Sequence, residues 1–147
     1  MVTNTSSRAV GVGRLLIAVY GILALGATAR SFVQIIERFD QAPVAYSLSA
    51  VSAVVYIVAT VALIAPGRAW YLVAWITICF ELVGVLVVGT LSITHPELFA
   101  ADATVWSLFG VGYLFIPLVI PMLGLSWLYV RRPSAVHSVA GTASARE

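Results

Sequence analysis

Long apolar runs, separated by short polar segments, divide the chain into four hydrophobic stretches. The most continuous stretch, residues 70–90, has about 20 apolar or small residues in a row, the length that an α-helix needs to cross a bilayer. The pattern predicts an all-α fold, a membrane-spanning four-helix up-down bundle within residues 11–132, with spans at about 11–38, 44–64, 69–92 and 104–130.

Polar segments lie at both ends of the chain and between the stretches. Residues 1–10 are expected to be a flexible tail and residues 133–147 a disordered one, because both are short of apolar residues. The compact turn at residues 65–68 makes the second and third spans antiparallel neighbours. The first stretch also resembles a secretory signal, with Arg8 and Arg14 before an apolar core and small residues at 27–29. Since the apolar periodicity continues past those small residues, a retained helix is favoured.

Composition agrees with a membrane chain. Hydrophobic residues make up 61% and charged residues 10% of the 147 positions, whereas soluble domains carry about 25% charged residues. No basic cluster suggests nucleic-acid binding. One cysteine allows neither a disulfide within the chain nor a CxxC pair, and the two histidines lie outside the apolar stretches. We therefore expect no cofactor and no metal site.

The charges along the chain predict its orientation. If both termini lie on one side of the membrane, that side holds five arginines: Arg8, Arg14, Arg68, Arg131 and Arg132. The acidic residues of the loops lie on the other side: Glu37, Asp40, Glu97 and Asp102. The positive-inside rule then places both termini in the cytoplasm of a multi-pass protein of the cell inner (plasma) membrane. Tyr46 and Trp106 fit an aromatic belt at the outer surface.

A single carboxylate, Glu81, interrupts the third stretch near its middle. Ionisable groups inside a membrane are costly and are functional candidates by default. Glu81 shares a helical face with small and polar residues such as Ala74 and Gly84, whereas the other faces carry bulky aliphatic side chains. Because small and polar faces pack on protein rather than lipid, Glu81 is predicted to point inward.

Arg30 is the cation proposed to partner Glu81. Helix rise places Glu81 about 16 Å from Trp70 and Arg30 about 24 Å from Arg14, a difference in depth of roughly 8 Å that an arginine side chain can largely bridge. These groups predict an intramembrane polar site composed of Glu81, Arg30, Gln34, Ser52, Tyr56 and Tyr113.

Three interpretations of that site stay open. The pair can simply hold the bundle together. Arg30 can instead extend to the outer interface and leave a protonated Glu81 bonded to a serine or a carbonyl. The site can also bind a ligand or transfer protons.

The last stretch contains Pro117 and Pro121, each of which removes a backbone donor from a helix. We expect a kink near the middle of that span. Asp102 is placed to act as its N-cap.

Four segments, AVYGILALGATARSFVQ, RFDQAP, ELVGVLVVGTLS and TVWSLFGVGYLFIP, resemble an uncharacterised small four-span integral membrane family of high-GC Gram-positive bacteria. This resemblance covers residues 11–132 and implies a four-helix bundle and no activity. The small multidrug exporters share the size, but their essential glutamate lies in the first span, whereas the acid here lies in the third.

These observations favour a small integral membrane protein that serves as an accessory subunit or scaffold, in contact with the lipid bilayer and with other membrane proteins or further copies of itself. The alternative is a small oligomeric transporter or a lipid- or ligand-binding protein that uses the Glu/Arg site. An enzyme ranks last, since no catalytic motif is present.

Overall fold

The computed structural model describes the backbone of residues 4–132 and the side chains of residues 10–132. Within that range the chain is helical and contains no strand. Its four α-helices are α1 (Asn4–Arg38), α2 (Pro43–Ile64), α3 (Arg68–Thr94) and α4 (Ile116–Val130). Short 3-10 segments lie at Phe39–Gln41 and Pro96–Phe99. The segment Ser107–Tyr113 is helical only in part, because Leu108, Phe109 and Gly110 have left-handed backbone.

Helix boundaries follow the local sequence. Pro43 opens α2, where its missing N–H would have had no helical partner in any case. Gly67, with φ 112°, forms the turn before α3 in a backbone conformation that side chains disfavour. The helix α1 begins at Asn4, so most of the segment predicted to be a flexible tail at residues 1–10 is helical. The predicted C-terminal tail at residues 133–147 lies outside the described residues.

The first three helices are long and apolar enough to cross a membrane. The fourth predicted span, 104–130, is not one helix: Ser107–Tyr113 and Ile116–Val130 meet at an angle of 99°. At 15 residues, α4 is about 22 Å long, short of the roughly 30 Å hydrocarbon core. A fourth crossing exists only if the bent pair counts as one broken span.

Left-handed backbone causes this break. Leu114 and Phe115, between the two segments, have φ of 55° and 59°, outside the range of a right-handed helix. The break lies near the middle of the predicted span 104–130, where a kink is predicted, and falls on the two residues before Ile116 rather than at either proline. Pro117 lies in the first turn of α4, where proline is well tolerated, and Pro121 lies inside the helix beyond the bend.

The interior combines small residues with aromatic and some aliphatic side chains, whereas many bulky aliphatic side chains lie on the outside. α1 packs mainly on α2, and α3 contacts α2, α4 and the segment Ser107–Tyr113. Small residues of α2 are buried, including Ala45, Ser49 and Ala53, whose spacing of four residues places them on one face of the helix. Ile22 and Leu25 are 70% and 76% exposed. In water such surfaces promote association, whereas lipid chains satisfy them, so the surface suits a membrane-embedded protein.

Candidate functional site

The residues of the predicted polar site separate into two clusters. We call Glu81, Tyr20, Tyr56 and Trp106 the Glu81 cluster, and Arg30, Gln34, Asp102 and Tyr113 the Arg30 cluster. The predicted pairing of Glu81 with Arg30 is not what the structure contains. Arg30 forms its ion pair with Asp102, and the hydrogen-bond donor to Glu81 is Tyr20.

Glu81 is fully enclosed, as its inward-facing position predicted. Its exposed fraction is 0%, and so is that of Tyr20 on α1. The Tyr20 hydroxyl donates to Glu81 Oε2 at 2.6 Å. Among the described residues the other oxygen, Oε1, has no hydrogen-bond partner. The carboxyl group is therefore tied to α1 by one oxygen and leaves the second available as an acceptor.

The helix α4 closes the cluster at Gly124. A Cβ atom there would lie 3.8 Å from the Tyr20 hydroxyl and 3.2 Å from Ile78 Cδ1. The absence of a side chain at this position lets α4 approach the tyrosine closely.

An indole completes the Glu81 cluster. Trp106 Nε1 donates to the Tyr56 hydroxyl at 2.9 Å. The rings of Tyr20 and Tyr56 are 6.2 Å apart and tilted by 50°, a separation typical of favourable aromatic pairs. Trp106 and Tyr46 are 2% and 1% exposed, so the prediction that they belong to an interfacial aromatic belt was wrong. The Trp106 ring instead lies against Gly84 of α3, where a Cβ atom would come within 2.8 Å of it.

The Arg30 cluster ties α1 to the segment that precedes α4. Arg30 Nη2 donates to Asp102 Oδ1 and to the Ala103 carbonyl, both at 2.6 Å. Its Nη1 donates to the Tyr113 hydroxyl at 3.1 Å, and Gln34 Nε2 donates to Asp102 Oδ2 at 2.8 Å. The side chains of Arg30 and Asp102 are 31% and 29% exposed. The cluster is a partly exposed clamp that holds its guanidinium on three acceptors of the same chain.

Asp102 has a different role from the predicted one. Its carboxylate accepts hydrogen bonds from the side chains of Arg30 and Gln34. Among the described residues, the adjacent Ala103 is the one whose backbone N–H it accepts. The turn before Ser107–Tyr113 is held by Thr104 and Ser107: the Thr104 N–H donates to Ser107 Oγ at 2.9 Å, and the Trp106 N–H donates to Thr104 Oγ1 at 3.1 Å. The loop at residues 92–103 carries two acids, Glu97 and Asp102. So few acids in that loop were the sequence signal that could have identified Asp102 as a partner for Arg30.

The serine of the predicted site turns back on its own helix. Ser52 Oγ donates to the Ser49 carbonyl at 2.7 Å, and Thr60 makes the equivalent bond to the Tyr56 carbonyl. Such bonds satisfy hydroxyls within one helix. Ser52 is buried, and its hydroxyl proton is donated within α2 rather than to either cluster.

Sequence reasoning missed Tyr20 as a site residue. Tyr20, Arg30 and Gln34 lie on one helical face by their spacing, and that pattern was the signal available. The Tyr20 side chain is long enough to reach Glu81 on α3, a contact between helices that the shared face does not specify. Within residues 10–132, no group of three or more His, Cys, Asp or Glu side chains is arranged to hold a metal ion.

The described residues form an all-helical fold, and three of the helices are long and apolar enough to cross a membrane, which indicates a membrane protein. Comparison of the chain with protein-family models, with curated proteins and with solved structures gives no match.

Proposed function

We propose that this protein is an accessory subunit or scaffold of the cell inner (plasma) membrane, with no catalytic role of its own. The observation that supports the proposal most is that the polar groups of the helices bond to residues of the same chain. The Arg30 guanidinium is bonded to three acceptors of its own chain, and Glu81 is enclosed against Tyr20. A binding pocket built on the two charges would need them to face a common space. Here each is held by other residues, which favours a structural role for both.

The proposed architecture is an up-down arrangement with both termini in the cytoplasm, in which the bent segment 107–130 makes the fourth crossing. Gly13 of α1 lies against Trp127 of α4, and this contact supports a shared end for the two helices. Three segments would lie at this end of the bundle, 4–14, 62–72 and 127–132, and every charged residue in them is an arginine. An excess of arginine at one end is the pattern of a cytoplasmic face.

The partners in this proposal are the lipid bilayer and other membrane proteins or further copies of the chain. Short loops leave little surface outside the membrane, so the contacts must involve helix faces. The exposed aliphatic side chains of α1, such as Ile22 and Leu25, provide an apolar face of that kind. The resemblance to a small four-span family of high-GC Gram-positive bacteria stays part of the same proposal.

A second function is favoured by one specific observation, the unpartnered Oε1 of Glu81. A fully buried acceptor without a partner is rare in proteins and calls for an explanation. In this alternative the protein is a small oligomeric transporter or a lipid- or ligand-binding protein, and Glu81 Oε1 accepts a hydrogen bond from an N–H or O–H group of the ligand.

Native mass spectrometry of the tagged protein, extracted in a mild detergent, tests the proposal together with Glu81→Gln. The glutamine keeps the size of the side chain and an acceptor for Tyr20 but removes the charge. The expected result is that wild type and variant purify in the same stoichiometric assembly with other membrane subunits or with copies of the chain. Isolation of wild type as a lone 15.6 kDa chain would contradict the scaffold. An unchanged assembly that loses a solute flux or a bound ligand with Glu81→Gln would support the alternative.

A further inference from the structure

A cavity of about 350 Å³ lies where the end of α2, the start of α3 and the end of α4 meet. Ligand pockets generally fall between about 300 and 1,000 Å³, so the space suits a small headgroup. Its apolar wall is formed by side chains from all three helices, including Ala62, Leu63, Tyr71, Trp127 and Leu128. This cavity is separate from both polar clusters, since it shares no residue with them.

Two arginines, Arg68 and Arg131, line the same cavity. Among the described residues neither guanidinium has a carboxylate within ion-pair distance. No acid occurs in the sequence of the adjoining helix ends, 62–72 and 127–132. The cavity therefore combines an apolar wall with two positive charges that the described chain does not neutralise.

The cavity is largely preformed. The Tyr71 hydroxyl donates to the Leu128 carbonyl at 2.8 Å, which joins α3 to α4 beside the wall. The Arg131 guanidinium carbon lies 4.7 Å from the centroid of the Trp127 ring, within the range of a cation–π contact. Because these contacts restrict the side chains before any ligand arrives, less ordering is needed on binding.

We propose that this cavity binds the phosphate-bearing headgroup of an anionic phospholipid. Arginine recognises phosphate oxygens through two parallel N–H donors, and Arg68 and Arg131 supply two such groups. The apolar wall and the position at the helix ends favour a lipid over a free anion, because acyl chains can leave along the wall into the bilayer. Basic pockets between membrane helices are a known way of binding anionic headgroups.

Lipid titration followed by native mass spectrometry tests this assignment on the full chain in detergent. The probes are phosphatidylglycerol and phosphatidylcholine. We expect tighter binding of phosphatidylglycerol, weakened about ten-fold by Arg68→Gln or Arg131→Gln and about 100-fold by both, because each variant removes a hydrogen bond between charged groups at the phosphate. Arg132→Gln is the matched control. Arg132 is adjacent to Arg131 but stacks on Tyr129, 3.9 Å from its ring, and does not line the cavity.

A second variant separates the cavity from surface charge. Ala65 lines the cavity and is half-buried, so Ala65→Leu fills space without changing any charge or disturbing the core. We expect it to weaken phosphatidylglycerol binding at least five-fold, with unchanged helical circular dichroism. Equal losses for Arg132→Gln and Arg131→Gln, or undiminished binding to Ala65→Leu, would overturn the proposal. Displacement of the lipid by millimolar inorganic phosphate would show that the cavity binds a free anion and would overturn the assignment of a lipid headgroup.

Discussion

Removing the Tyr20 hydroxyl tests how the buried carboxyl is held. Tyr20→Phe keeps the ring beside Tyr56 and deletes only the donor to Glu81 Oε2, which lies 2.6 Å away. Since Glu81 Oε1 already lacks a partner among the described residues, the variant leaves both oxygens of the carboxyl unbonded. The neighbouring α4 backbone at Gly124 closes this side of the tyrosine.

The expected loss of unfolding free energy is about 1–2 kcal/mol. Leaving a buried acceptor unpaired costs about 1–3 kcal/mol in proteins generally. Hydrogen bonds between membrane helices average about 0.6 and reach about 1.7 kcal/mol. The upper part of the membrane range applies because Tyr20 and Glu81 are each 0% exposed. Adding Glu81→Met should recover most of the loss, since an unbranched apolar side chain removes the unpaired acceptors while filling a similar space.

Reversible unfolding by SDS in mixed micelles, followed by far-ultraviolet circular dichroism, measures these differences. Tyr129→Phe is the control, because Tyr129 is 57% exposed and should change stability by less than about 0.5 kcal/mol. A loss below about 0.5 kcal/mol for Tyr20→Phe would show that the hydrogen bond contributes little. A double variant no more stable than Tyr20→Phe alone would show that the cost does not arise from the unpaired acceptors of Glu81.

Two further variants examine the other contacts. Gly84→Ala should lower the unfolding free energy by about 1–3 kcal/mol in the same assay, because the new Cβ would lie 2.8 Å from the Trp106 ring. The control Gly26→Ala, with nothing within 4 Å of its Cβ, should leave stability unchanged or raise it by up to about 1 kcal/mol. Equal effects of the two variants would refute the contact between Gly84 and Trp106. Arg30→Ala and Asp102→Ala should each cost about 1 kcal/mol, less than for a buried pair because both side chains are about one-third exposed. The double variant should be little worse than either one, and strictly additive losses would argue against the ion pair.

Apolar run length and turn residues predicted α1, α2 and α3 well. Pro43 opens the second helix and Gly67 precedes the third, both as residue chemistry requires. Glu81 is buried because the small residues on its face pack on protein, as predicted. These features depend on local properties, which a sequence carries directly.

The fourth segment was harder because its break depends on several residues with left-handed backbone. Leu114 and Phe115 carry no sequence signal for positive φ, which is uncommon outside glycine, asparagine and aspartate. Hydropathy sees only a continuous apolar run there. The prolines gave a correct hint of disruption, but Pro117 suits the first turn of a helix as well as it breaks one, so its effect could not be placed from composition.

The partner of Arg30 illustrates a competition that depth alone could not resolve. Pairing with Glu81 would require the guanidinium to enter a region where the carboxyl is 0% exposed, and burying two charges costs several kcal/mol for each ion. Asp102 pairs with Arg30 at about 30% exposure, where solvent weakens the attraction but removing the charges from water costs less. Gln34 donates a further hydrogen bond to Asp102, and Arg30 also donates to the Ala103 carbonyl. The partly exposed pair therefore wins. Because Arg30 and Glu81 share no bonded partner among the described residues, Arg30→Ala and Glu81→Gln should have additive effects on stability, within about 0.5 kcal/mol. A larger coupling in the SDS titration would restore the single polar site that the sequence suggested.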